Sequence, residues 1–110
     1  MASEIPDGLA IEPIWVVEAA YAADAQEKRP AVRAEHLSRI GRLRDEDVII
    51  EAGGYADWSG SLFLLRAPSE EAALAIIHAD VYWRSGVWSD ARARALGRVV
   101  RVEEMAKPRS

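Results

Sequence analysis

An α+β fold, one antiparallel sheet with two helices on a single face, is predicted by three observations. Short runs rich in β-branched and aromatic residues alternate with two segments of helical period. Glycine, proline and serine fall between them, and the resulting order is β, α, β, β, α, β. At 110 residues the chain suits one domain with one core.

Residues 1–12, with Pro6 and Gly8 and with Pro13 next to them, read as a flexible lead-in. The domain is expected over residues 13–104, with a tail over 105–110. IWVVEAA, from Ile14, is a buried strand. Pro30 suits the first turn of a helix that the spacing of Val32, Leu37, Ile40 and Leu43 carries to about Arg44. VIIEA, from Val48, is a second strand, stopped by Gly53 and Gly54. YADWSG is a turn, and SLFLLRA, from Ser61, is a third strand. Ser69 can cap a second helix whose first turn carries Glu70 and Glu71, and this helix is expected to run to about Asp80. VYWRSGVW and SDARARAL read as an irregular or partly helical connection into a last strand, GRVVRVEE. The order is that of a ferredoxin-like split βαβ unit. Its sheet has an uncovered face, which leads to the expectation of a homodimer.

Bulk properties narrow the function classes. Half of the residues are hydrophobic, 29% are charged and the net charge is −4. An acidic surface disfavours general binding to nucleic acid or to anionic membrane, so neither is an expected partner. Cysteine is absent, which excludes disulfides, thiolate zinc sites and a cysteine nucleophile. The opening residues lack the pattern of a secretory signal, and no run has the ~18 apolar residues of a membrane span. A cytoplasmic protein is expected. Gly53, Gly54 and Gly60 match neither a P-loop nor a dinucleotide fingerprint, so no cofactor is expected. With only His36 and His78 and no third ligand at helical spacing, no metal is expected either.

Chemistry concentrates at His36 and Asp80. On the first helix Glu35, Ser38, Arg39 and Arg42 form the wet side, whereas His36 lies among Val32, Ile40 and Leu43 on the apolar side. On the second helix Ala73, Ile76, Ile77 and Asp80 share a face and His78 points away. A carboxylate is unfavourable at the negative end of a helix dipole, so Asp80 calls for a partner. Antiparallel helices would bring Arg33 and His36 towards it. An aspartate beside a histidine fixes the imidazole tautomer and prepares a general acid or base, and the same pair also serves as a plain structural ion pair. Of the four tryptophans, Trp15 is assigned to the core. Trp58, Trp83 and Trp88 lie in connections, where they pack a dimer seam or line a pocket for a flat ligand.

The segments RPAVRAEHLSRIGRL, VIIEAGGYADWSGSLFLL and PSEEAALAIIHADVYWRSGVW together resemble the YciI-like (YCII domain) family over about Ile14 to Trp88. The resemblance implies a small dimeric α+β barrel with a histidine on the first helix and an aspartate just after the second, an active-site dyad that falls on His36 and Asp80. Two departures stand out. Val81 follows Asp80 where the family commonly has proline, and SDARARALGR replaces a short link into the last strand. Relatives in aromatic degradation imply cofactor-free elimination, isomerisation or ring closure.

The expected function is therefore a cofactor-independent lyase, isomerase or cyclase acting on a small cyclic or aromatic compound. His36 would shuttle the proton and Asp80 would orient it. Arg33 would bind an anionic or enolate oxygen, and Ser61, Tyr82 and Trp83 would shape the substrate pocket. The alternative is a non-catalytic dimeric module that binds a metabolite or supports an assembly.

Overall fold

The computed structural model describes residues 4–105. The chain forms β1 (Leu9–Tyr21), α1 (Ala25–Asp45), β2 (Ile49–Gly54), β3 (Gly60–Leu65), α2 (Glu70–His78), a short α3 (Val81–Arg84), β4 (Trp88–Arg101) and a closing 3-10 turn (Val102–Glu104). The strands make one antiparallel sheet in the order β2-β3-β1-β4, the ferredoxin-like arrangement expected. Side chains alternate across a strand, so Val17 and Ala19 of β1 and Phe63 and Leu65 of β3 meet Ala73 and Ile77 of α2 and Tyr82 of α3 in one core. The opposite face presents half-buried Val16, Leu62 and Leu64, with Val16 paired to Leu64.

β1 is longer than expected, and the assigned lead-in loses residues 9–12 to it; residues 1–3 lie outside the described residues, as do residues 106–110 of the expected tail. The cause is β4, which pairs with β1 from Leu9 to Tyr21, whereas β3 pairs only from Trp15 onward. Leu9–Ile14 and their β4 partners thus form a two-stranded arm in a molecule measuring 55 × 29 × 25 Å. Pro13 is accommodated there because the strand has a single neighbour, and one edge needs no N–H. At the arm's root Glu12 is buried. It accepts hydrogen bonds from Arg66 Nε at 2.7 Å and Arg98 Nη1 at 3.0 Å, and the Arg66 bond leads the effects that hold its carboxyl below the usual range.

Four other expectations are corrected. α1 begins at Ala25, so Pro30 lies inside it, where its missing N–H removes one bond near the helix start. Gly53 and Gly54 do not stop β2 but belong to it, opposite Leu62 and Ser61. SDARARAL is not an irregular link; it is β4 strand, with Ala91 and Ala93 against the core and exposed Arg92 and Arg94 alternating with them. α2 ends at His78, and Asp80 instead caps α3, its carboxylate accepting the Tyr82 N–H. Ser69 caps α2 as expected, by accepting the Ala72 N–H at 3.1 Å. Trp15 is only half-buried, with Nε1 donating to the Ala67 carbonyl at 3.1 Å. No helix among the described residues is long and apolar enough to cross a membrane.

Gly60 opens β3 where that strand meets β1, and a Cβ there would lie 2.3 Å from the Ala19 carbonyl oxygen. At Gly53 a Cβ would meet nothing within 4 Å. Gly60→Ala is expected to cost about 3 kcal/mol of stability, and Gly53→Ala under about 0.5 kcal/mol. Urea denaturation of both variants checks the contrast.

Candidate active site

Asp80 follows the end of α2 and is fully buried, so its charge must be met on every side. Oδ1 is 2.8 Å from His36 Nδ1 and accepts the Tyr82 N–H at 2.9 Å, while Oδ2 accepts from Arg39 Nη1 at 3.0 Å. Burial pushes the Asp80 carboxyl up. The His36 and Tyr82 hydrogen bonds, the His36 charge and Arg39 outweigh it, and the net direction is below the ordinary value. An ionised carboxylate can only accept, so His36 Nδ1 carries a proton. In the neutral ring the lone pair is then on Nε2.

The imidazole is held by its faces as well. The Tyr82 ring stacks on it at 3.7 Å and 7°, and Trp88 meets it edge-on at 5.4 Å. Trp88 begins β4 and is buried, so its expected place in a connection is corrected to the strand beneath the site. Its indole N–H donates to Ser61 Oγ at 3.3 Å, and Ser61 Oγ lies 3.4 Å from the Tyr21 hydroxyl. Indole N–H can only donate. Ser61 accepts from Trp88, and with its own hydrogen given to Tyr21 the Tyr21 hydroxyl hydrogen is left for a ligand.

His36, Tyr21, Ser61, Phe63 and Tyr82 line one cavity of about 360 Å³, which opens past Arg29, Arg33 and Trp58 and is walled on one side by the Gly53–Ala56 corner. Trp58 is held over this mouth by the β2–β3 turn: its N–H donates to the Tyr55 carbonyl at 3.1 Å, and Ser59 N–H donates to Asp57 Oδ1 at 2.9 Å.

The expected site residues separate on this geometry. His36 and Asp80 meet directly, and Arg33, Ser61 and Tyr82 line the same cavity as His36. Trp83 is elsewhere, its ring 4.3 Å from that of exposed His78 and outside the cavity lining. The arginine that reaches Asp80 is Arg39, assigned above to the wet side; Arg33 faces the cavity instead. Arg39 also donates to the Ile76 carbonyl at 2.9 Å, joining α1 to α2. Its one sequence signal was its position three residues after His36, on a neighbouring helical face. Tyr21 and Arg29 were also missed. Among the described residues no group of three histidine, aspartate or glutamate side chains converges as metal ligands would.

Residues 14–95 match the YCII-related domain, a span that includes both His36 and Asp80. The proteins named YciI from Escherichia coli and Shigella flexneri are each 33% identical over 96 residues, covering 78% of this chain and 98% of theirs. A solved structure of 5-chloro-2-hydroxyhydroquinone dehydrochlorinase from Burkholderia phenoliruptrix, in complex with 2,5-dihydroxybenzoquinone, aligns with a TM-score of 0.62. It is 17% identical, over 74% of this chain and 90% of that one, and supports the fold. On the family match and the near-complete coverage of its relatives, the chain belongs to the YCII-related domain family.

Proposed function

We propose that this protein is a cofactor-independent acid–base enzyme of lyase, isomerase or cyclase type, acting on a small cyclic or aromatic compound. One observation carries the reading: His36 is tied through Nδ1 to a buried, ionised Asp80 while its ring lines an aromatic-walled cavity. A structural neighbour that is a dehydrochlorinase of a hydroquinone supports a ring-shaped substrate.

In this mechanism His36 Nε2 takes a proton from the substrate, and Asp80 stabilises the imidazolium that forms. The electron pair released moves into the ring system. In an elimination it expels the leaving group, and in an isomerisation it accepts the proton back at another atom. The Tyr21 hydroxyl, aligned by Trp88 and Ser61, donates to the oxygen on which negative charge develops, and Arg33 supplies positive charge nearby. Tyr82 keeps the imidazole plane fixed by stacking. The cavity volume of about 360 Å³ suits a single-ring ligand.

The protein is also proposed to be a homodimer. The sheet face away from the helices carries Val16, Leu62 and Leu64, and the arm exposes Ile11 (46%) and Val99 (69%). Sedimentation velocity at micromolar concentration is expected to give a dimer, and a monomer independent of concentration overturns this assignment.

His36→Asn tests the chemistry. The asparagine amide nitrogen can take the place of Nδ1 as donor to Asp80 but offers no Nε2. Turnover is expected to fall about 10²–10⁴-fold, with the melting temperature nearly unchanged. A variant that folds and turns over at the wild-type rate moves the chain to a non-catalytic binding module.

Asp80→Asn tests the linkage. The neutral amide removes the charge facing His36 and Arg39, and the expected cost is about 2–4 kcal/mol near neutrality, together with slower turnover. Because the folded-state pKa is depressed, this stabilisation is complete above the ordinary Asp value of 3.8 and disappears as pH falls through the lower folded value. Urea midpoints of wild type and Asp80→Asn are therefore expected to approach each other as pH falls from about 5 through the depressed folded value of Asp80.

A further inference from the structure

The mouth of the cavity has a charge arrangement that proton shuttling by His36 does not require. Arg29 and Arg33 both line it, one turn apart on α1, and no lining residue is an aspartate or glutamate. Cations elsewhere on this helix have acids to meet: Lys28 pairs with Asp24, and Arg42 with Glu46, each at helical spacing. Arg29 and Arg33 have none within reach along the helix. The positions three and four away hold Ala25, Gln26, Val32 and Arg33 for the first, and Arg29, Pro30, His36 and Leu37 for the second. Like charges at this spacing repel. Among the described residues Arg33 has no ion pair or side-chain hydrogen bond, although the chain as a whole carries an excess of acids. A negative protein has gathered unneutralised positive charge at the entrance to its pocket.

Arg29 is also held in a fixed pose. Its guanidinium lies 5.4 Å from the centre of the Tyr21 ring and 4.8 Å from that of Trp58, and Nε reaches the Tyr82 hydroxyl at 3.5 Å. Trp58 is 55% exposed and has a φ of +64°, a backbone conformation that is costly for a bulky residue. A second, open hollow shares these walls and is lined by Gln26, Arg29, Pro30, Arg33 and Trp58. A planar cation pinned between aromatic rings, with a second cation beside it, suits the two oxygens of a carboxylate.

We propose that Arg29 and Arg33 form an anion subsite and that the substrate is a cyclic or aromatic carboxylate, bound with its ring towards His36 and its carboxylate at the mouth beneath Trp58. This rests on the reading of the inner cavity as a ring site and adds the substituent that the outer cavity selects. It also assigns Arg29 and Trp58 to specificity.

Calorimetric titration tests the proposal with three acid and ester pairs: benzoate, 4-hydroxybenzoate and 2,5-dihydroxybenzoate, each against its methyl ester. At least one acid is expected to bind tenfold or more tightly than its ester in 50 mM salt. The preference should shrink in 500 mM salt. Arg33→Gln, at an exposed position, is expected to fold normally and reduce the preference, and Arg29→Gln with Arg33→Gln should abolish it. His36→Asn should leave it in place. Acids and esters that bind equally overturn the anion subsite but leave the ring site standing. A preference that survives in the folded double variant overturns the assignment to these arginines. Failure of all six compounds to bind overturns the subsite and the ring-site reading together.

Discussion

A helix of 21 residues that fully buries only Ala25 and His36, with Val32, Ile40 and Leu43 half-buried against the core, has a polar anchor besides its apolar contacts. That anchor is the buried carboxylate of Asp80, reached by His36 and by Arg39 from successive turns. An unpaired charge in that position would be strongly destabilising, so the surrounding chain is organised to supply donors. The Tyr82 N–H is one of them and starts α3, and Arg39 continues to the Ile76 carbonyl near the end of α2. A single carboxylate therefore caps α3, ties α1 to it and fixes a histidine tautomer, while Arg39 joins α1 to α2. The structural ion pair and the proposed catalytic dyad, which sequence reasoning treats as rivals, would use the same bonds.

The rest of the site follows from that anchorage. With Nδ1 turned to Asp80, the imidazole plane is set, and Tyr82 two residues later stacks on it because α3 begins where it does. The far wall comes from the sheet. Trp88 heads β4, Ser61 lies in β3 and Tyr21 ends β1, and the sheet order places these strands side by side. Indole can only donate, so the hydrogen bonds run from Trp88 to Ser61 and on to Tyr21 at the cavity. Strand order thus determines which hydroxyl stands at the cavity end of this chain, a property that no single residue carries.

The sequence revealed the fold and the two central residues, and its failures have physical causes. His36 stood out because a polar group interrupted an apolar stripe. Asp80 was found for a reason only half right: it does need partners, yet it opens a new helix instead of closing the old one. SDARARAL was misread because alanine and arginine both favour helix. Its alternation, with small residues on one side and arginines on the other, is the period of a strand and was the better guide. Arg39 was placed in water because a helical wheel shows where a side chain starts. A long side chain can carry its charge to a buried partner several ångströms from its own face. Trp83 reads as a pocket residue because it is a large aromatic in a connection, but it lies on a helical turn beside Tyr82, where neighbours point in different directions, and its ring goes to His78.

The spacing along α1 joins these observations. Arg29, Arg33 and His36 stand at i, i+4 and i+7, one stripe of the helix, and all three line the cavity. A stripe of that spacing normally faces a core and is apolar. Here its members are cationic or basic, and what they face is a space bounded by Tyr21, Phe63 and Trp58. The helix therefore has two polar engagements, with a stripe along the cavity and a link through His36 and Arg39 to Asp80. His36 belongs to both, since its ring lines the cavity while one nitrogen serves the anchor. A change at that position must act on the docking of α1 as well as on the proposed chemistry unless the replacement keeps the Nδ1 donor. That constraint is a physical reason for a histidine to occupy a place where helical patterning alone would put leucine.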